Sequence, residues 1–192
     1  MSDINTSKKF VFIDRDGTIN VDYNYVHKVE NFEFIPGALD ALKLLCDNEI
    51  DIFIVTNQAG IARGFYTEED FQNITEYMLQ EFNKKDINIK EVLFCPHHPE
   101  GEVDQYQKVC ECRKPATGMM EKVLADAAYS LDLCLGMIGD KNSDVLAGKA
   151  LKVPAYLVET GHGLKEKAST EADFIMPDLS SCVEHILKNK AK

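Results

Sequence analysis

The sequence predicts an α/β fold, a three-layer Rossmann-like parallel sheet with helices on both faces and no large cap domain. Three observations carry this reading. Short apolar runs alternate with helix-length amphipathic stretches; carboxylates stand at the ends of the first and fourth runs, at Asp14, Asp16 and Asp140; and a polar loop at residues 95–112 gathers three of the six cysteines. Alternation of this kind marks βαβ units. In an open parallel sheet, residues just beyond the strand carboxyl ends line the ligand crevice.

Taken in order, the strands are KFVFID (9–14), DIFIVT (51–56), EVLFC (91–95), LGMIGD (135–140), VPAYLV (153–158) and ADFIM (172–176). Helices are expected over 37–47, 68–84, 118–129, 143–151 and 179–189. In the second, Phe71, Ile74, Met78 and Phe82 recur at helical spacing behind a Thr67 N-cap. Residues 17–35 and 96–115 do not fit the alternation, and long loops in a compact domain are usually functional.

Composition bounds the function. At 192 residues, 45% hydrophobic and 28% charged, the chain reads as one domain over 1–192 with a core of its own, which excludes disordered, collagenous and coiled-coil classes. No run approaches the ~20 apolar residues of a membrane span, and MSDINTSKK has no apolar stretch behind it to act as a signal peptide. The expectation is a soluble cytoplasmic protein with no membrane partner. A net charge of −11 repels nucleic-acid phosphates, so no nucleic-acid partner is expected. A small phosphorylated substrate remains open, because a few local cations and a metal ion suffice to bind it.

The strand-end residues suit that chemistry. Carboxylates at Asp14, Asp16 and Asp140, directly after VFI and LGMI, need a cation, since burying them unpaired costs several kcal/mol. Residues two apart in extended chain project to the same side, so Asp14 and Asp16 can approach one reacting group. Gly17 permits the turn that follows. Asp14 and Asp140 can share Mg²⁺, Thr56 offers a hydroxyl and neighbouring amides to anionic oxygens, and Lys114 neutralises the remaining charge. Phosphate monoesters hydrolyse extremely slowly unaided, so covalent and electrostatic catalysis are both required. Asp14 is assigned as the nucleophile that forms an aspartyl phosphate, and Asp16 as general acid and then base.

The loop CPHHPEGEVDQYQKVCECRKP supplies Cys95, His97, Cys110 and Cys112, a Cys₃His set suited to tetrahedral zinc, with His98 the alternative to His97. Closing a loop of ~15 residues costs roughly 3 kcal/mol, whereas structural zinc binding in small peptides is worth ~10–16 kcal/mol. A closed four-ligand shell implies a structural metal. Because Arg113 and Lys114 follow Cys112 directly, zinc would hold phosphate-binding cations in place. Cys46, Cys134 and Cys182 lie alone on apolar faces, as ordinary packing.

DRDGT, Thr56, Lys114 and GDKNSD together resemble the four motifs of the haloacid dehalogenase superfamily of phosphatases. The competing class is a receiver-like phosphoacceptor module, which has no use for a general acid at Asp16 or for a cysteine-rich loop. TNQAGIARGF (56–65), NVDYNYVHKVENFEFIPG (20–37) and the cysteine loop resemble one family more closely, the D-glycero-D-manno-heptose 1,7-bisphosphate 7-phosphatases, from Phe10 to about Val158. The resemblance implies Asp14 and Asp16 as nucleophile and acid, Thr56 and Lys114 as phosphoryl stabilisers, and zinc on Cys95, His97, Cys110 and Cys112. It implies Mg²⁺ on Asp14, Asp140 and the Asp16 backbone carbonyl, with Lys141 beside them. Substrate contacts would fall on Asp22, Tyr23, Asn24, Tyr25, Thr56, Asn57, Gln58, Ala59, Arg113, Lys114 and Lys141. Ala59 stands where Ser is frequent and Asn24 where Gly is frequent, and Asn tolerates positive φ better than most residues. The implied substrate is a sugar bisphosphate, the implied role is making activated heptose for surface polysaccharide, and a monomer suffices because no partner is needed to close the site. Histidinol phosphate phosphatase, which shares DRDGT, the loop and CRKP, is the near alternative.

Overall fold

The computed structural model describes residues 8–189, so the polar start at 1–7, on which the leader expectation rests, lies outside the described residues. Six parallel strands run β1 (Phe10–Ile13), β2 (Asp51–Asn57), β3 (Ile89–Cys95), β4 (Cys134–Gly139), β5 (Ala155–Val158) and β6 (Phe174–Met176), in the sheet order β3-β2-β1-β4-β5-β6. The helices are α1 (Ala38–Asp47), α2 (Ala59–Ala62), α3 (Glu68–Asn83), α4 (Gly118–Leu124), α5 (Asn142–Leu151), α6 (Gly163–Glu166) and α7 (Leu179–Asn189).

The two-residue period of the strands builds the three layers. Val11, Ile13, Ile52 and Ile54 point to one face and pack under α1, α3 and α7; Phe10, Phe12, Phe53 and Val55 point to the other, against Met119, Met120 and Val123 of α4 and Ala147 of α5. Both faces being covered, the central strands are apolar throughout. The expected fold is the observed one. β1 pairs with both β2 and β4, so the strand order reverses between Asp14 and Asp140, and the crevice opens at that switch point.

Differences from expectation are local. The helix expected over 118–129 stops at Leu124: the Asp126 carboxylate accepts the Ala128 amide, an Asx turn that competes with helix, and the Tyr129 ring packs edge-on against Phe10 and Phe53. The one-turn helices α2 and α6 were not expected, being too short to show a period. α3 begins as read, with Thr67 and Asp70 forming a capping box. Residues 17–35, without helical period, are not a floppy excursion: Ile19, Val26, Phe32 and Ile35 are buried in the core. None of the helices is long and apolar enough to cross a membrane.

Candidate active site

Asp14 leaves the end of β1 with its amide bonded to Ile138 O at 2.8 Å, which fixes it beside the end of β4. Its carboxylate accepts from Lys114 Nζ at 2.6 Å. The same ammonium lies 2.6 Å from Asp144 Oδ1 and donates to Val55 O at 2.6 Å, so all three of its protons are used. Lys114 is buried, as are Asp14 and Asp144. Burial alone would push the Lys114 pKa down, but Asp14 and Asp144 outweigh it and hold the group above the ordinary lysine value. Asn57 places this lysine: its side-chain amide donates to Lys114 O and accepts from Lys114 N, each at 3.0 Å.

Asp16 sits in a different environment. Arg15 bonds it through Nε and Nη2 at 3.1 and 2.8 Å, and Asn20 and Gln58 each donate at 3.0 Å. Burial raises the Asp16 pKa, but Arg15 and these donors prevail and hold it below the ordinary aspartate value. Arg15 is fully buried, donates to Val26 O and lies over the Phe71 ring. Gln58 is held in turn by the Tyr66 hydroxyl at 2.6 Å and donates to Thr56 Oγ1 at 2.8 Å.

Across the crevice, Asp140 is fully buried. Its Oδ2 accepts the His162 amide at 2.7 Å, and its Oδ1 is enclosed without a partner. Burial, with Asp14 adding, pushes its pKa up to about 8, while burial opposed by Lys114 leaves Asp14 raised to about 6. One oxygen each from Asp14, Asp140 and Asp144 lie within 4.8 Å of one another. Hard carboxylate oxygens, one of them orphaned, suit a divalent cation such as Mg²⁺. Lys141 does not suit it: an ammonium has no lone pair, and its Nζ donates to Asp22 at 3.2 Å while its carbonyl accepts α5 amides. Two glycines make the crevice possible. A Cβ on Gly17, at φ +82°, would lie 2.2 Å from Asp140 Oδ2, and one on Gly139 would lie 2.3 Å from Asp144 Oδ2.

These groups open into a cavity of about 340 Å³. Its walls include Asp14, Asp16, Asp22, Asn24, Tyr25, Thr56, Asn57, Gln58, Ala59, Arg113, Lys114 and Lys141, as expected. Tyr23, expected among them, is not in the wall: it is more than half exposed and donates to Glu33 at 2.5 Å. A turn sets its place: Asn24 and Tyr25 adopt φ of 61° and 58°, and Asp22 Oδ1 accepts the Asn24 amide to close it. Tyr25 then meets Phe65 edge-on at 4.7 Å, latching this loop to the segment after α2. Asp144, close behind Asp140 in GDKNSD, is also in the wall, and Arg63, Tyr66, His98, Ser143 and His162 complete it without having been expected there. For His162, between β5 and α6, the sequence carried no signal.

At the rim, Cys95, His97, Cys110 and Cys112 converge. The three Sγ atoms are 3.0, 3.3 and 3.5 Å apart, and His97 Nδ1 lies 3.3 Å from Cys112 and 3.7 Å from Cys95. Edges of a tetrahedron with Zn–S bonds of about 2.3 Å are about 3.8 Å, so the donor set fits that metal with slight contraction. His98 turns away: its Nδ1 accepts the Glu100 amide at 3.1 Å. Nearby Arg113 and Arg63, together with burial as the larger cause, lower the His98 pKa.

A family model described as HAD-hydrolase-like matches residues 111–182. The D-glycero-beta-D-manno-heptose-1,7-bisphosphate 7-phosphatase of Escherichia coli (strain K12) is 40% identical over 182 residues, covering 94% of each chain. The D-glycero-alpha-D-manno-heptose-1,7-bisphosphate 7-phosphatase of Photorhabdus laumondii is 43% identical over 160 residues, covering 82% of this chain and 86% of that one. The crystal structure of D,D-heptose 1,7-bisphosphate phosphatase from B. bronchiseptica, complexed with magnesium and phosphate, superposes with a TM-score of 0.81 at 27% identity, covering 94% of this chain and 98% of that one. Identity of this degree along nearly the whole length, on a shared fold, shows that the chain belongs to the D-glycero-D-manno-heptose-1,7-bisphosphate 7-phosphatase family of HAD-like hydrolases.

Proposed function

We propose that this chain removes the 7-phosphate of D-glycero-D-manno-heptose 1,7-bisphosphate, in nucleotide-activated heptose biosynthesis. The relatives named for this reaction support it, and one observation in the cavity carries it. Two guanidiniums, Arg63 and Arg113, line the wall without an ion-pair partner among the described residues, in a chain of net charge −11. Cations left unpaired in so acidic a protein suit a substrate with a second, remote phosphate. They oppose the ammonium of histidinol phosphate, which needs an anionic partner at that end.

In this reading the Asp14 carboxylate attacks phosphorus, the bond from phosphorus to the sugar oxygen breaks, and Asp16 gives its proton to that oxygen. Water then attacks the aspartyl phosphate, Asp16 takes the proton from the water, and inorganic phosphate leaves with Asp14 restored. The donors around Asp16 favour its ionised form, which suits the second half. A phosphate dianion alongside offsets Arg15 and favours the protonated form needed in the first. Thr56 and Lys114 stabilise the phosphoryl oxygens. Asp14, Asp140 and the Asp16 carbonyl would hold Mg²⁺, which supplies charge compensation there when bound. Cys95, His97, Cys110 and Cys112 would hold a structural zinc that orders the segment carrying Arg113 and Lys114. Substrate contacts are assigned to Asp22, Asn24, Tyr25, Asn57, Gln58, Ala59, Arg113 and Lys141. A monomer in a reducing cytoplasm is the matching state, the compartment supported by six cysteines of which none is in a disulfide.

The test is kcat/KM for heptose 1,7-bisphosphate against histidinol phosphate with Mg²⁺ present. We expect a preference of at least about 100-fold for the bisphosphate, since an unmatched charged group costs on the order of 3 kcal/mol. Equal turnover, or preference for histidinol phosphate, overturns the substrate assignment and leaves the aspartyl-phosphate chemistry standing.

A further inference from the structure

One of the two guanidiniums in the cavity wall carries a buried donor with no partner among the described residues. Arg63 follows α2 directly, and its Nε is enclosed without a partner. A buried N–H left unbonded is unfavourable, so such a group in a ligand-sized cavity points to an acceptor brought by the ligand. Its position is set from two sides. Its own amide bonds Ala59 O at 3.0 Å, and the preceding carbonyl, Ala62 O, accepts the amides of Glu102 and Val103 at 2.7 and 2.9 Å, which clamps the cysteine loop onto α2. That clamp brings Arg63 to the same wall as His98 and Arg113. Arg113 is anchored from the loop side, where Nη1 donates to His97 O at 3.3 Å.

The state of His98 follows from its bonds. Nδ1 accepts the Glu100 amide, so in the neutral ring the proton sits on Nε2, and the ring offers the cavity a donor. His98 is further fixed by its amide on Tyr106 O at 3.2 Å and by its carbonyl, which accepts Gly101 N at 3.1 Å. Two guanidiniums and one neutral N–H donor, contributed by α2 and the cysteine loop, stand on one wall with no carboxylate bonded to them. Asp14, Asp16 and Asp140 are occupied with the reacting end of the site.

We propose that Arg63, with His98, completes with Arg113 the subsite that grips the remote, unreacting phosphate, so that Arg63 determines specificity for bisphosphates. This rests on the bisphosphate reading above. Arg63 is then the residue through which the cysteine loop and α2, clamped together, measure the length of the substrate. Binding energy gained at the remote group is realised as rate at the reacting one.

The test compares kcat/KM on heptose 1,7-bisphosphate and on heptose 7-phosphate, for the wild type, Arg63→Met and His98→Ala. The readout is the ratio of the two values. Arg63→Met should lower that ratio by about 10- to 100-fold, the range for losing a charge-assisted hydrogen bond, and His98→Ala by about 5-fold. Arg63→Met that slows both substrates equally, leaving the ratio at its wild-type value, overturns the inference. If the Met variant does not fold, Arg63→Lys carries the test: an ammonium cannot replace the fork, so the ratio should still drop several-fold, and an unchanged ratio again overturns it. A wild type that shows no preference for the bisphosphate removes the substrate reading itself, and is recognised before any variant is made.

Discussion

Replacing Lys114 with Met keeps the volume of the side chain and deletes its charge. In the metal-free protein this strands two carboxylates that are now neutralised by one ammonium: Asp14 and Asp144 are 5% and 1% exposed, and each lies 2.6 Å from Nζ. Val55 O loses its 2.6 Å donor as well. Breaking a buried ion pair by removing one partner costs about 3–5 kcal/mol. For a chain of 192 residues, each kcal/mol moves Tm by about 2–4 °C, so the expected loss is about 6–20 °C. The effect should depend on pH. Lys114 opposes the upward push of burial on Asp14, so without it Asp14 holds its proton more tightly, acidification relieves the stranded charge, and the deficit should be larger at pH 8 than at pH 5. Thermal unfolding of chelator-treated wild type and variant at both pH values measures this. A shift below about 2 °C, the same at both, would refute the view that this lysine balances the charge of the crevice.

Magnesium affinity should follow the protons it displaces. Asp140 and Asp14 titrate near about 8 and about 6 in the metal-free protein, both above the unfolded value of ~3.9. Between roughly pH 4 and 8 these two groups therefore hold more protons in the folded state than in the unfolded one, and their contribution to metal-free stability falls as pH rises. Mg²⁺ should bind more weakly as pH falls below about 8, with proton release detectable by calorimetry in buffers of different ionisation enthalpy; a Kd that is flat from pH 6 to 8 would contradict this. Asp14→Asn should reduce turnover by at least about 10⁴-fold, on the scale of other lost nucleophiles, while the unfolding transition persists; a variant that still cycles has another nucleophile. Cys110→Ser should lower bound zinc, read by elemental analysis, and increase hydrogen exchange in residues 95–112 more than in β1 or β4. Uniform protection there would separate the metal from the ordering of the loop.

Much of this molecule is one-dimensional information. The strands could be read because side chains alternate every second residue, and burial on both faces turns each central strand into an apolar run. Asp14, Thr56 and Asp140 could be placed because a polar residue directly after such a run has no core to enter and must face the crevice. The cysteine set could be read because thiols in a polar loop have little to pack against, and His97, Cys95, Cys110 and Cys112 do meet. Helix ends were less legible wherever a side chain competed with the backbone, as Asp126 does after α4.

The sequence by itself determined the sheet, its two covered faces and which residue types stand at its mouth, because these depend on periods and neighbours a few positions apart. Only the tertiary structure decided how they are wired. Gln58 reaches Asp16 across 42 positions and Lys114 reaches Asp14 across 100; Ala62, beside Arg63, clamps the cysteine loop through its carbonyl; and Tyr23 leaves the cavity through a left-handed turn at its neighbours. The reason is physical: proton affinity and donor direction depend on distances of 3 Å, and those distances are set by the register in which strands and loops pack, which no local pattern encodes.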